Sequence, residues 1–280
     1  MTPPAAAVGA DRSVEELETI AHFLRRRMLR MAADKGEGYI AQGLGVADIL
    51  STVYFRELRF DPAHPDAPDR DRFILSTGHY SIALYAVLGE LGVFSDEDLA
   101  TYALNGSALP MSTFDETPGV EITSGSLGHG LGQGVGMALA FRLDRRPARV
   151  IVELSDGELQ EGSTWEAAMA GASFRLDNLW AVADCNGIQA DGPMVIDIEP
   201  VAAKWRAFGW HAVEVDGNSV AALVAAFDEL RGRPGPKVVV ARTTPGHGVP
   251  TLVARERAHF VRVGDDEWSR LLDELEASRG

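Results

Sequence analysis

The stretch ELSDGELQEG, Glu153 to Gly162, puts Asp156 and Gly157 directly behind ARVIVEL, an apolar run that reads as a buried strand. Further along, DCNGIQADG begins where the run NLWAVA finishes, so Asn186 holds the corresponding place behind a second strand. A right-handed crossover returns the chain beside its start, so two such strands joined by one helix lie close together in a parallel sheet. Asp156, the amide oxygen of Asn186 and a loop carbonyl would then converge as a hard, oxygen-only donor set, suited to Mg2+ or Ca2+. Mg2+ completes its shell with water and phosphate oxygens, and Gly157 lets the backbone come close to such a ligand. The same residues also fit a helix N-cap at Asp156 and an ordinary turn at Asn186-Gly187.

A second feature is the run TSGSLGHGLGQGVGMALA, whose repeated glycines enter a helix as a phosphate- or diphosphate-binding turn would. It matches neither G-x-G-x-x-G in any register nor a P-loop, which argues against NAD and ATP.

The elements that must position these groups follow from periodicity. Four β-branched runs, ARVIVEL, NLWAVAD, HAVEVD and PKVVVAR, alternate with segments of helical spacing, predicting an α/β fold: a parallel sheet flanked by helices on both faces. Helices are expected to begin near Val14, Val46, Ser81, Ser95, Leu127, Ser163, Ser219 and Asp265, with a capping box at Ser95 and Asp98. In such sheets ligands bind beyond the carboxyl ends of the strands, where Asp156 and Asn186 fall.

With 280 residues, 46% of them hydrophobic, the chain can bury one large core, and no linker divides it. We expect a loose tail at residues 1–10 and a single domain over 11–280. A formal charge of -15 would repel a nucleic acid backbone on average. No apolar run reaches the roughly 18 residues of a membrane span, and the leader lacks the order of a signal peptide. A soluble, cytoplasmic protein is expected, with no membrane or nucleic acid partner. The one cysteine, Cys185, cannot form an internal disulfide and reads as a buried small side chain.

The segment SDGELQEGSTWEAAMAGASFRLDNLWAVADCNGIQADG closely resembles the thiamine diphosphate signature of transketolases. DRFILSTGHYSIALYAVL, TPGVEITSGSLGHGLGQGVGMALA and FGWHAVEVDGNS resemble further blocks of the transketolase N-terminal half, in the family's order, from about Val14 to Gly248. The resemblance implies the diphosphate domain of the thiamine-diphosphate-binding fold. It implies that Asp156 and Asn186 through side chains, and Ile188 through its carbonyl, bind Mg2+ (or Ca2+ or Mn2+), which holds the cofactor diphosphate. Gly157 would sit against that diphosphate, with Gly128, Gly130, Ser155 and Glu158 also on the cofactor side. His79 matches a histidine near cofactor and substrate, Glu161 a glutamate facing the partner's active-site glutamate, and His259 falls near a histidine that contacts diphosphate and substrate.

The departures lie mostly on the substrate side. Ser155 replaces the first glycine of the signature, Tyr39 and Met111 stand where transketolases carry substrate-side histidines, His129 replaces a glutamine, and His247 stands where related chains often carry lysine. Tyrosine with a pKa near ~10 does not shuttle protons easily at neutral pH, and methionine offers only a weak acceptor. The resemblance therefore implies two-carbon ketol transfer from a ketose or ketose phosphate to an aldose acceptor, on non-standard sugars. It also implies a separately encoded C-terminal partner carrying the pyrimidine-binding domain, in a heterotetramer with two copies of each subunit, and inactivity alone. Alternatives are another thiamine diphosphate enzyme subunit, resembling deoxyxylulose-phosphate synthase or a 2-oxo-acid dehydrogenase α subunit, and a non-catalytic scaffold homologue. A plain nucleotide-binding domain is a further one.

Overall fold

The computed structural model describes residues 12–65, 67–190 and 192–278, so the tail expected at residues 1–10 lies outside the described residues. Strands run in chain order as β1 (Glu37–Gly38), β2 (Arg72–Leu75), β3 (Val150–Ser155), β4 (Leu179–Cys185), β5 (Ile188–Gln189), β6 (Gly192–Pro193), β7 (His211–Asp216), β8 (Lys237–Arg242) and β9 (Val261–Arg262). Helices are α1 (Val14–Ala33), α2 (Ile40–Gly45), α3 (Ala47–Thr52), α4 (Ser81–Glu90), α5 (Asp96–Leu99), α6 (Gly130–Leu143), α7 (Gly162–Ser173), α8 (Val201–Ala207), α9 (Val220–Leu230), α10 (Pro250–Val253) and α11 (Trp268–Ala277).

The main sheet has the order β2-β3-β4-β8-β7, with every pairing parallel. Its middle strands β3 and β4 are buried along their whole length, as apolar runs covered on both faces must be. Successive side chains of each strand enter opposite cores. Phe73, Leu75, Ile151, Trp180 and Val239 join one core with α1, α3, α4 and α9. Ile74, Val152, Ala181 and Val240 join the other, with α6, α7 and α8.

All four expected strands are present. The fifth, β2, is a short edge strand within the block DRFILSTGHY, and its RFIL run has too few residues to show a period of its own. The helix expected from Leu127 starts at Gly130, because Gly128 takes a φ of +83° and must precede any helical turn. The one expected from Asp265 starts at Trp268, and the one near Val46 is two short helices meeting there. The capping box at Ser95 and Asp98 forms, on a helix of four residues.

Two features outside the sheet position the site. Arg25 on α1 donates Nε to the Leu44 carbonyl at 3.1 Å and pairs with the buried Asp48, so the long first helix fixes α2 and its residue Gln42. The antiparallel pair of β1 and β9, in register Gly38↔Val261, brings Tyr39 beside His259 and Phe260 from the far end of the chain. Among the described residues no helix is long and apolar enough to cross a membrane.

Candidate active site

β3 and β4 end level with one another, Ser155 opposite Asp184, so the residues that follow them share the carboxyl end of the sheet. Asp156 is 3% exposed there, and both carboxylate oxygens accept backbone N–H groups, Gly157 at 2.8 Å and Gly187 at 2.6 Å. Burial pushes its carboxyl up to about 6, while those N–H groups pull the other way. Asn186 turns its amide nitrogen inward to Asp184 (2.7 Å) and to the Tyr80 hydroxyl (3.0 Å). Its oxygen is thereby fixed in orientation and accepts one N–H, from Ile188, at 3.0 Å. Thr243 donates to the other oxygen of Asp184. Asp184 is thus the residue that orients Asn186; its only sequence signal is a carboxylate two places before the amide at a buried strand end.

The donor set fits a hard divalent ion. One carboxylate, one amide oxygen and the Ile188 carbonyl are all oxygens. Pro193 lies opposite Ile188 across β5 and β6 and has no N–H to give that carbonyl. Among the described residues no three His, Cys, Asp or Glu side chains form a metal-binding group, so an ion held by this set would complete its shell with water or ligand oxygens. A methyl group at Gly157 would meet nothing closer than Ser155 Oγ at 3.8 Å. Nothing inside the chain demands glycine there, whereas a close-lying diphosphate would.

Tyr80 links this pole to the second part of the site. Its ring lies edge-on to His79 at 4.7 Å, and Tyr39 lies edge-on to both His79 (4.7 Å) and His259 (5.3 Å). His79 and His259 are 5.4 Å apart, ring centre to ring centre. Gln42 Nε2 lies 2.9 Å from His259 Nδ1; with the amide donating, Nδ1 accepts and Nε2 keeps the proton. Gln42 has no partner-revealing motif in the sequence; only the fold discloses it. His79 is pushed down to about 3 by burial, with the charge of His259 adding, and burial lowers His259 too. Both imidazoles are therefore neutral near pH 7.

That neutrality has a measurable consequence. Unfolded, a histidine takes up a proton below about 6.5, and a folded His79 does not, so stability falls as pH drops through that value. Allowing for partial exposure, wild type should lose on the order of 1 kcal/mol more than His79→Gln between pH 7 and pH 5. Thermal melts of both chains measure the difference; parallel losses would mean that His79 is solvated and protonated in the fold.

The remaining candidates separate. Glu158 is fully buried, and burial pushes it up to about 7. Its Oε1 accepts the Gly128 N–H at 2.7 Å and the Ser76 hydroxyl, while the Gly130 N–H goes to Ser76 Oγ at 3.0 Å. The glycine-rich turn thus aims these two N–H groups inward, and what it offers a ligand is a thin backbone surface rather than these donors. Ser155 Oγ accepts the Glu158 N–H at 3.2 Å. Glu161 is exposed at the head of α7, with a methyl at Gly128 falling 2.8 Å from its Cβ. His129 is exposed. Met111 packs against the main core, and His247 lines a separate cavity of about 870 Å3 with Arg25, Asp48 and Asn218.

The family model for the transketolase thiamine diphosphate binding domain matches residues 18–276. An uncharacterised transketolase family protein of Sinorhizobium fredii is 47% identical, over 97% of this chain and 98% of its own length. A 6-deoxy-6-sulfo-D-fructose transketolase subunit of a Clostridium species is 36% identical, over 93% of this chain and 96% of its own. Transketolase from Campylobacter jejuni superposes with a TM-score of 0.88 at 27% identity, over 96% of this chain and 43% of that one. The chain thus spans under half of that solved enzyme and nearly all of the two relatives.

Proposed function

The chain belongs to the transketolase family, and from that premise we propose that it is the diphosphate-binding subunit of a split transketolase. The enzyme would depend on thiamine diphosphate and Mg2+ and move a two-carbon ketol unit from a ketose or ketose phosphate to an aldose acceptor. The observation that carries this reading is the joint between two poles: Tyr80 touches His79 with its ring and Asn186 with its hydroxyl. An oxygen donor set for a metal diphosphate and a pair of neutral imidazoles for a sugar are thereby linked through Tyr80, on the turn between β2 and α4.

Each residue then has a physical task. Asp156, Asn186 and the Ile188 carbonyl would hold the ion, and Gly157 would let the diphosphate lie close. The cofactor, when bound, supplies the carbon nucleophile that opens the ketose carbonyl to cleavage. His79, being neutral, can donate one hydrogen bond to a sugar hydroxyl or carbonyl oxygen and accept another, while His259, its Nδ1 taken by Gln42, can donate one from Nε2. Tyr39 replaces imidazole chemistry beside them with a ring edge and one hydroxyl, which supports a non-standard sugar. Glu161, exposed near the glycine-rich turn, would meet a partner chain.

The partner is proposed to be a C-terminal subunit with the pyrimidine-binding domain, assembled with two copies of each chain, in the cytoplasm. Calorimetric titration of thiamine diphosphate with Mg2+ tests this, first into the chain alone and then into a mixture with a co-encoded C-terminal subunit. Strong binding only in the mixture, with ketol transfer and no CO2 released from 2-oxo acids, is the expected result. Binding in neither sample would support the scaffold reading, and CO2 release a 2-oxo-acid enzyme. Preference for xylulose 5-phosphate and ribose 5-phosphate over other sugars would sink the unusual specificity.

A further inference from the structure

A glycine-rich turn ahead of a helix is normally an anion site, because its N–H groups converge on empty space. In this chain the space is already filled from within. Glu158 is fully buried, and its Oε1 takes the Gly128 N–H at 2.7 Å together with the Ser76 hydroxyl. Ser76 relays the contact to the Gly130 N–H at 3.0 Å.

The same residue is tied to the other parts of the site through its backbone. Its carbonyl accepts the Glu161 N–H at 3.0 Å and the Thr164 hydroxyl at 3.1 Å, fixing the head of α7. Ser76, on the far side, precedes the His79 turn, where the Gly78 N–H returns to the Ser76 carbonyl at 2.9 Å. Packing enforces the arrangement. A methyl at Gly128 would collide with Ser163 and Glu161, and one at Gly130 with Ser76.

We propose that Glu158 is a positioning residue, an internal carboxylate that holds the histidine turn, the glycine-rich turn and Glu161 in one register before any cofactor binds. The consequence for cofactor affinity rests on the transketolase reading above; the lock itself does not. An external anion has no access to the Gly128 N–H while Glu158 is in place. The turn contributes its shape to the cofactor, and the diphosphate charge is left to the ion at Asp156 and Asn186.

Amide exchange of Gly128 and Gly130, measured by NMR on the chain without cofactor, reads the lock directly. Both amides should be protected in wild type. Glu158→Ala should release Gly128 by at least about tenfold, and Glu158→Gln, which keeps an accepting oxygen, should stay within about threefold of wild type. Ser76→Ala should release Gly130 and serves if Glu158→Ala does not fold. In the assembled complex, Glu158→Ala should weaken thiamine diphosphate binding at least about tenfold, with Glu158→Gln restoring it. A Gly128 amide that exchanges in wild type as an open loop does would overturn the lock. Unchanged cofactor affinity in Glu158→Ala would overturn its role in the site. Absence of cofactor binding by the wild-type complex would instead count against the transketolase reading, leaving exchange to decide the lock.

Discussion

Asp156→Ala will lower the affinity of the assembled protein for thiamine diphosphate and Mg2+ by about a hundredfold or more, while leaving the stability of the isolated chain within about 2 kcal/mol of wild type. The first half follows from the donor set. Asp156 is its one carboxylate, the others being an amide oxygen and a main-chain carbonyl, so alanine removes the charge of the donor set. The second half follows from burial. At 3% exposure the carboxyl is raised to about 6, against 3.8 for an ordinary aspartate. A raised acid binds its proton more tightly when folded, so the folded apo chain is penalised progressively as pH climbs from 3.8 through about 6. Alanine removes that penalty, on the order of 1–2 kcal/mol at neutral pH, against two lost hydrogen bonds. Calorimetric titration and thermal melts at pH 7.5 separate the effects. Wild-type-like cofactor affinity in Asp156→Ala would displace the metal site from this pole. Asp156→Asn keeps the shape, loses the charge, and should bind almost as poorly.

How far the sequence alone reaches depends on how local each feature is. Strands β3, β4, β7 and β8 are legible because an apolar run flanked by charge and glycine needs no distant partner to be recognised. Asp156 and Asn186 are legible for the same reason, as polar residues at the ends of such runs. What supports them is not. Asp184 reads as one more member of LWAVADC, yet it is the anchor that turns Asn186 and receives Tyr80 and Thr243. Gln42, Ser76 and Glu158 act on residues far from them in sequence. His259 lies in RERAHFVRVG, where no block carries the alignment, and the pairing of Glu37 with Arg262 across the chain is what places it beside Tyr39. Side chains that orient other side chains leave no periodic trace, because only the final geometry relates them.

Gly78→Ala puts this dependence to a severe test, since it changes one methyl group beside His79 and touches no functional atom. The φ of Gly78 is not among the positive ones, so the effect is one of space rather than backbone strain. A methyl there would lie 2.6 Å from the Ser124 carbonyl oxygen and closer still to Ser124 Oγ. Ser124 has no freedom to retreat: its hydroxyl donates to the Leu75 carbonyl at 2.8 Å and meets Thr113 Oγ1 at 2.6 Å. Thr113 in turn donates its N–H to the Gly78 carbonyl at 3.1 Å, so the loop that carries Met111 closes directly onto the histidine turn. Overpacking against backbone should destabilise the chain by about 3 kcal/mol, a fall of roughly 6–12 °C in Tm for a chain of this size. Gly132→Ala is the control of opposite sign. Open space surrounds Gly132 on the outer face of α6, where alanine gains helix propensity and should raise stability by up to about 1 kcal/mol. If Gly78→Ala melts with wild type, the Met111 loop is free to move away and the substrate side of the site is not preformed. If it melts as expected, the histidine turn and that loop form a single rigid wall. On the proposed transketolase reading, a sugar would then have to match Tyr39, His79 and His259 as they stand, which would give a specificity set by residue replacement rather than by induced fit.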